Sequence, residues 1–307
     1  MYSGGSGIEA DPYLISNALD LYNVRSNLTS YFTQTNDIDM TSYTDWTPIG
    51  VDNGGEFTGV FDGNYHKIFN YKSSYGGIFG YTQTGALFQK IRILGASTTT
   101  AERSNYGGLI NYAENATIND CIATVNITTH GQVAGGLCGY IESSTITKSA
   151  GKGNISSYGS VGGFAGAIVT ATISNCYARG NVNIVTADYV GGFTSQISGG
   201  SVTKCYSTGA VTGTADSNGG FCGRLWSGTA TGNHYDSTTS GKSDTTAATP
   251  QTTEEMKTQG TFTTWDFATP IWLMDDIKND GYPNLKWYYD LFSNRFQRIG
   301  LGVRLGL

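Results

Sequence analysis

A short phrase recurs six times in this chain. It reads YGGIFG at 75–80, YGGLIN at 106–111, AGGLCG at 134–139, VGGFAG at 161–166, VGGFTS at 190–195 and NGGFCG at 218–223. Counted from the first glycine of each pair, it returns after 31, 28, 27, 29 and 28 residues. A fixed period of this size marks an architecture in which each unit covers the next. Each phrase sets a large apolar residue after its glycines: Ile78, Leu109, Leu137, Phe164, Phe193 and Phe221. Glycine tolerates φ > 0 and lets backbones approach closely, so the pair predicts a tight corner.

A second column follows about ten residues later, where Ile118, Ile146, Ile173 and Val202 fall into one file. Three residues on, Ile91, Cys121, Ser149, Cys176 and Cys205 form another. The surrounding residues are β-branched or Ser and Thr, which is strand composition. No stretch inside the repeats is long and periodic enough for a helix. Such a unit fits one coil of a parallel β-helix, each strand pairing with its equivalent about 4.8 Å along the axis. A propeller blade needs about 40 residues, and the leucine-rich frame is absent. The sequence therefore predicts an all-β, right-handed parallel β-helix (solenoid) with short helical or irregular caps at both ends.

The repeated G-G-Φ-x-G phrase resembles the GLUG repeat. That resemblance implies a scaffold of the kind found in bacterial surface proteins, adhesins, non-catalytic parts of large secreted peptidases, and phage-related proteins. Segments 6–25, 31–40, 46–50 and 57–68 resemble the lead-in to such an array, and 234–243, 252–267 and 281–287 resemble its ending. Asn111 and Ser195 depart from the phrase where glycine is usual.

The chain divides into an N-terminal cap and irregular coils (1–72), the repeat coils (73–240), a C-terminal aromatic cap (241–290) and a C-terminal strand (291–307). Residues 1–10 read as a flexible lead. Asn17 is placed to cap a helix running to about Leu28, with Ala18, Leu21, Val24 and Leu28 on one face. Residues 237–251 read as a surface loop. Thr252-Thr253-Glu254-Glu255 is a capping-box pattern. Trp265, Phe267, Trp272, Tyr282 and Trp287 supply bulk suited to closing the far end of the core.

The net charge of −6 argues against non-specific nucleic-acid binding. No run of about 18 apolar residues is present, so no membrane insertion is expected. The start, MYSGGSG, has neither a basic nor an apolar leader region, so it reads as lacking a signal peptide. The five cysteines, odd in number and sharing columns with Ile, Ala, Ser and Thr, read as small core fillers.

Nothing in the sequence assembles into a catalytic, cofactor or metal constellation. Glu102, Glu114, Asp120, Glu142, Asp188 and Asp216 read as solvated loop charges that form no file. Asp37 and Asp39 sit two apart and are the one place considered for calcium or catalysis. His66, His130 and His234 are scattered. Exposed Tyr on a flat Ser/Thr/Asn face suit host surface glycans, with Tyr75, Tyr106, Tyr112, Tyr140 and Tyr158 as candidates. The Thr residues read as forming no T-x-T file, which argues against ice binding.

In the last stretch, Ile299, Leu301, Val303, Leu305 and Leu307 alternate with Gly300, Gly302, Arg304 and Gly306, a period-2 strand signal. Two readings stay open: a strand packed on its own body, or a partner-docking strand using Arg295, Arg298, Ile299, Leu301, Val303, Arg304 and Leu305. The second implies other virion or surface proteins, or further copies of the chain, as partners. The functional expectation is a non-enzymatic structural and adhesive protein displayed outside a cell. Its favoured form is a phage virion component (tail fibre, receptor-binding or decoration protein). A bacterial surface adhesin or filament subunit is the alternative, and a polysaccharide-degrading tailspike a third.

Overall fold

The computed structural model describes residues 1–99, 105–269 and 271–291. One repeat shows how a coil is made: strands Val133–Gly135, Cys138–Glu142, Thr145–Thr147, Ala150–Gly151 and Ile155–Ser157 follow one another with a corner between each. Each pairs in parallel with its equivalents in the neighbouring coils, giving a parallel β-solenoid of about seven turns. Ile118, Ile146, Ile173 and Val202 are successive register partners. So are Phe79, Ile110, Cys138, Ala165, Thr194 and Cys222.

The Gly-Gly corners are tight because of closeness, and only Gly76 among the paired glycines has positive φ. A Cβ on Gly136 would lie 2.1 Å from the Gly163 carbonyl oxygen, and one on Gly163 would lie 2.3 Å from that of Gly192. Any side chain there would force the coils apart. Left-handed backbone falls instead to two other corner files, Asn115, Ser143 and Thr170, and Lys90, Asp120, Lys148, Asn175 and Lys204. The apolar residue after each pair is buried, and Phe164, Phe193 and Phe221 stack at 4.6 and 4.7 Å.

All five cysteines are free and buried. The file of Cys121, Ser149, Cys176 and Cys205 is also a hydrogen-bonded one: the Cys121 N–H donates to Ser149 Oγ (3.1 Å), and the Cys205 N–H to Asn233 Oδ1 (2.9 Å). Burial pushes the Cys222 thiol up to about 12, so it stays neutral and behaves as an apolar filler.

At the N-terminal end, Asn17 Oδ1 accepts from the Leu19 and Asp20 N–H groups and starts the helix Ala18–Asn23. The chain then tightens into the 3-10 turn Val24–Ser26, so the α-helix is shorter than its apolar pattern suggests. Residues 1–10 are no loose lead. Tyr2 stacks on Tyr13 at 4.1 Å and donates to the Asn23 carbonyl, while the Leu14 N–H bonds Gly4 O.

The C-terminal segment differs from expectation in a way that matters. Residues 237–251 are built into the fold: helix Ser237–Ser240 is capped by Asp236, and strand Thr249–Gln251 pairs with His234–Asp236. The aromatic segment does not close the far end of the core. It runs back along the flank, over an outward-facing apolar file, Ile122, Ala150, Tyr177, Tyr206 and His234. Met256, Phe262, Trp265, Trp272, Tyr282 and Leu285 bury that file. Three indole N–H groups grip corners of different coils: Trp265 at Gly232 O, Trp272 at Asn175 Oδ1 and Trp287 at Lys148 O. Arg179 fixes the same strap, donating to Asn279 and pairing with Asp280 at 2.9 Å.

His234, wedged against Phe262 and Trp265, has its pKa pulled down to about 4 by burial. A folded-state value below the ordinary 6.5 means the stabilisation is complete above pH 6.5 and lost as pH falls from 6.5 toward 4. Chemical denaturation across that window should show a slope that His234→Gln removes. An unchanged slope would refute this account.

Candidate binding face

Five residues beyond the first glycine of each phrase, one position points outward from the wall that begins at the Gly-Gly corner. It holds Tyr81, Tyr112, Tyr140, Ala167, Gln196 and Arg224, each the register partner of the next. The three tyrosines form a ladder with ring centroids 5.6 and 5.0 Å apart and planes within 14° of parallel. Two residues on, Glu114 and Glu142 are register partners, so these carboxylates do form a file, contrary to expectation. Tyr112 Oη donates to Glu142. Burial and then the Glu142 carboxylate raise its pKa, holding the hydroxyl as a donor.

The next wall carries the Ser, Thr and Asn face expected from the sequence, and no two adjacent coils both spell T-x-T. Thr117, Thr145, Thr172, Ser201 and Thr229 stack in one file, and Asn119, Thr147, Ser174, Thr203 and Thr231 in the next. The T-x-T pattern is complete in two coils, and Ser or Asn stand in for Thr in the other three. At the lower end of the tyrosine ladder lies a cavity of about 510 Å³ lined by Thr47, Pro48, Val51, Asp52, Tyr75 and Tyr81, among others.

Of the tyrosines expected from sequence, Tyr112 and Tyr140 are in the ladder and Tyr75 lines the cavity. Tyr106 is core, and Tyr158 stands apart, 46% exposed against His130. Tyr81 was missed, although its offset of five from Gly76 matches Tyr112 and Tyr140. Asp37 is taken by the Lys67 N–H (2.8 Å), by an ion pair to the Lys67 ammonium and by His66 Nδ1 at 3.4 Å. Burial works against its charge, and the Lys67 contacts overcome this to leave its pKa lowered. Asp39 is likewise lowered, by hydrogen bonds from Thr41 and Asn70. Asp37 thus ties its coil to the next, and Asp39 serves the turn at Thr41 and the same coil junction through Asn70. Among the described residues no group of three or more His, Cys, Asp or Glu could hold a metal ion, and no helix is long and apolar enough to cross a membrane. Arg295, Arg298, Ile299, Leu301, Val303, Arg304 and Leu305 lie outside the described residues, as does Glu102.

The model of the GLUG motif matches residues 157–183, one complete coil. A protein of Evansella cellulosilytica named "Putative Gly-rich membrane protein" is 35% identical over 107 residues, 31% of this chain and 12% of that relative's length. A crystal structure from Bacteroides ovatus, named "a putative immunoglobulin A1 protease", superposes with a TM-score of 0.72 over 93% of this chain and 95% of that one. Its identity is 22%, a likeness of fold. The chain is therefore a parallel β-solenoid carrying the GLUG motif.

Proposed function

We propose that this chain is a non-enzymatic structural and adhesive protein displayed outside a cell, binding surface glycans through its tyrosine ladder and the hydroxyl files beside it. The observation that carries this is the regular outward lattice of Tyr hydroxyls, Glu carboxylates and Thr, Ser and Asn groups. These present donors and acceptors in rows about 4.8 Å apart. A polyol chain offers matching hydroxyls, and a face already fixed by coil stacking loses little conformational freedom on binding. A cell-surface adhesin is the broader form of this reading, and the Evansella relative's name, a Gly-rich membrane protein, agrees with a place at the cell envelope. A phage virion component held through residues 291–307 is the narrower alternative, favoured by the alternating basic pattern of that stretch.

The test is binding of the full chain to immobilised bacterial surface polysaccharides. A Tyr112→Ala/Tyr140→Ala double variant is expected to bind at least tenfold more weakly while keeping its circular dichroism. Equal binding by parent and variant, or none by either, would overturn glycan recognition at this face. New reducing ends in treated glycan would instead establish an enzyme.

A further inference from the structure

The two ends of the solenoid are finished differently. The N-terminal end is covered by the helix Ala18–Asn23 and the segment around Tyr2. At the far end, strands Val211–Gly219 and Cys222–Thr231 pair only inward, with Val182–Gly191 and Thr194–Thr203. Among the described residues no strand pairs with their outer sides; the corner between them is covered, where Asp244 Oδ1 accepts from the Gly220 N–H (2.7 Å) and Tyr235 and Ala247 pack on the core. These are edges of nine and ten residues. Long exposed edges with free N–H and C=O groups are templates for another strand. Beneath them Ala215, Leu225 and Ala230 pack on the core but remain only partly covered, as they would be if a further rung were missing.

The same edge carries an anchor. The register shifts between Ile197↔Leu225 and Ser198↔Ser227, leaving Trp226 as the extra, re-aimed residue of a bulge. Trp226 is 51% exposed, with the Arg224 guanidinium 3.6 Å above its ring and Tyr189 packed edge-on at 6.1 Å. Its indole N–H donates to Gln196 Oε1, which holds the ring in place. Trp, Tyr and Arg, pre-positioned together, are the residue types that dominate interface energies.

The C-terminal strap supplies the occupant. It descends the flank from Gly232 to Asn175 to Lys148, and Trp287 stacks on Tyr65 of a still earlier coil. Trp287 thus lies about three coils, roughly 14 Å, from the open edge along the axis. To reach its own far end the chain would have to reverse. Onto a neighbour stacked in line, it simply continues. Beyond residue 291 come 16 residues, QRIGLGVRLGL among them, whose alternation would lay Ile299, Leu301 and Val303 over Leu225 and Ala230. Arg298 and Arg304 would meet Asp216 and Asp244 at that end, where Asp244 Oδ2 is buried without a partner.

We propose that the open edge formed by Cys222–Thr231 and Val211–Gly219 receives residues 297–307 of a second copy as an added strand, joining the chains head to tail. This rests on reading residues 291–307 as a docking strand and is independent of glycan binding. A head-to-tail contact does not close on itself, so the product is a filament.

Complementation between two full-length variants tests it by sedimentation. The parent should show multimers that grow with concentration. A tail variant, Leu301→Asp/Val303→Asp, and an edge variant, Trp226→Asp, should each be folded monomers, their self-association weakened at least tenfold. Mixed, they should form a dimer and stop there, since the mixture holds one competent tail and one competent edge per pair. Should Trp226→Asp fail to fold, Thr229→Lys charges the same edge from its exposed side. A parent that stays monomeric at every concentration, or a mixture that yields no dimer, would overturn the proposal. Either failure leaves the glycan test standing, because the monomeric tail variant keeps the tyrosine ladder.

Discussion

Phe193→Ala should destabilise the solenoid by about 3–5 kcal/mol, the range for deleting a buried aromatic side chain. The upper part of that range applies here for a geometric reason. Phe193 has no exposed surface and lies between Phe164 and Phe221, stacked on both faces. The neighbouring rings cannot collapse into the gap, because the backbones carrying them are held apart by the coil repeat. The Phe164 N–H bonds Phe193 O and the Phe193 N–H bonds Phe221 O, both at 2.8 Å. A cavity that cannot relax keeps its full cost. Thermal unfolding should shift down by roughly 5–8 °C, at about 1.5 °C per kcal/mol from an unfolding entropy of about 2.1 cal/mol/K per residue. Phe193→Leu, which refills most of the volume, should lose about 1–2 kcal/mol. Equal losses for the two substitutions would refute the cavity argument.

Asp236→Ala should act just as strongly but in one place. This carboxylate is completely buried where the last coil meets the C-terminal strap. Oδ1 accepts from the Thr239 N–H (2.9 Å), and Oδ2 accepts from Thr253 Oγ1 (2.8 Å) and Tyr282 Oη (2.7 Å). Removing it deprives three donors at once. Hydrogen bonds to a charged group contribute about 1.5–3 kcal/mol each, and stranded buried donors add to the loss, so about 3 kcal/mol is a conservative figure. The strap should open before the coils. Limited proteolysis is expected to cut within 237–291 while leaving a resistant core ending near Thr231. Asp236→Asn, which keeps one acceptor oxygen and turns an amide N–H toward hydroxyls that can themselves accept, should be cut more slowly. Resistance of Asp236→Ala equal to the parent would show that the tryptophan contacts alone hold the strap.

These two sites also show what the sequence exposed and what it hid. The Phe164, Phe193 and Phe221 file was legible because each contact is made by equivalent residues one period apart, so alignment of the repeats is already alignment in space. The same holds for Ile118, Ile146 and Ile173, for the cysteine columns, and for Asn17 and Thr252, whose capping partners lie within three residues. The strap was not legible. Arg179 meets Asp280 across 101 residues and Trp287 meets Lys148 across 139, and neither contact recurs. Aromatic density said that something would be buried there, without saying against which surface. On the binding face the letters vary while the register holds: Asn119, Ser174 and Ser201 interrupt the threonine spelling of their files without leaving them, and Tyr81 occupies the ladder's position in GGIFGY as Tyr112 and Tyr140 do in GGLINY and GGLCGY.

The corner files have a consequence for how such a molecule changes over generations. Because Asn115, Ser143 and Thr170 bend alike, and Lys90 through Lys204 bend alike, a coil copied in tandem would arrive with its own corners already fitting those above and below. Duplication of one 27–29-residue unit would lengthen the body by about 4.8 Å and add one rung to the outward lattice. Reach then becomes a quantity that recombination can dial in single steps, with one brake. The strap is cut to a fixed length, gripping Gly232, Asn175 and Lys148 at set intervals. Insertions between those grips, or between Lys148 and the Tyr65 on which Trp287 stacks, would pull it off, whereas insertions before Tyr65 would meet no such grip.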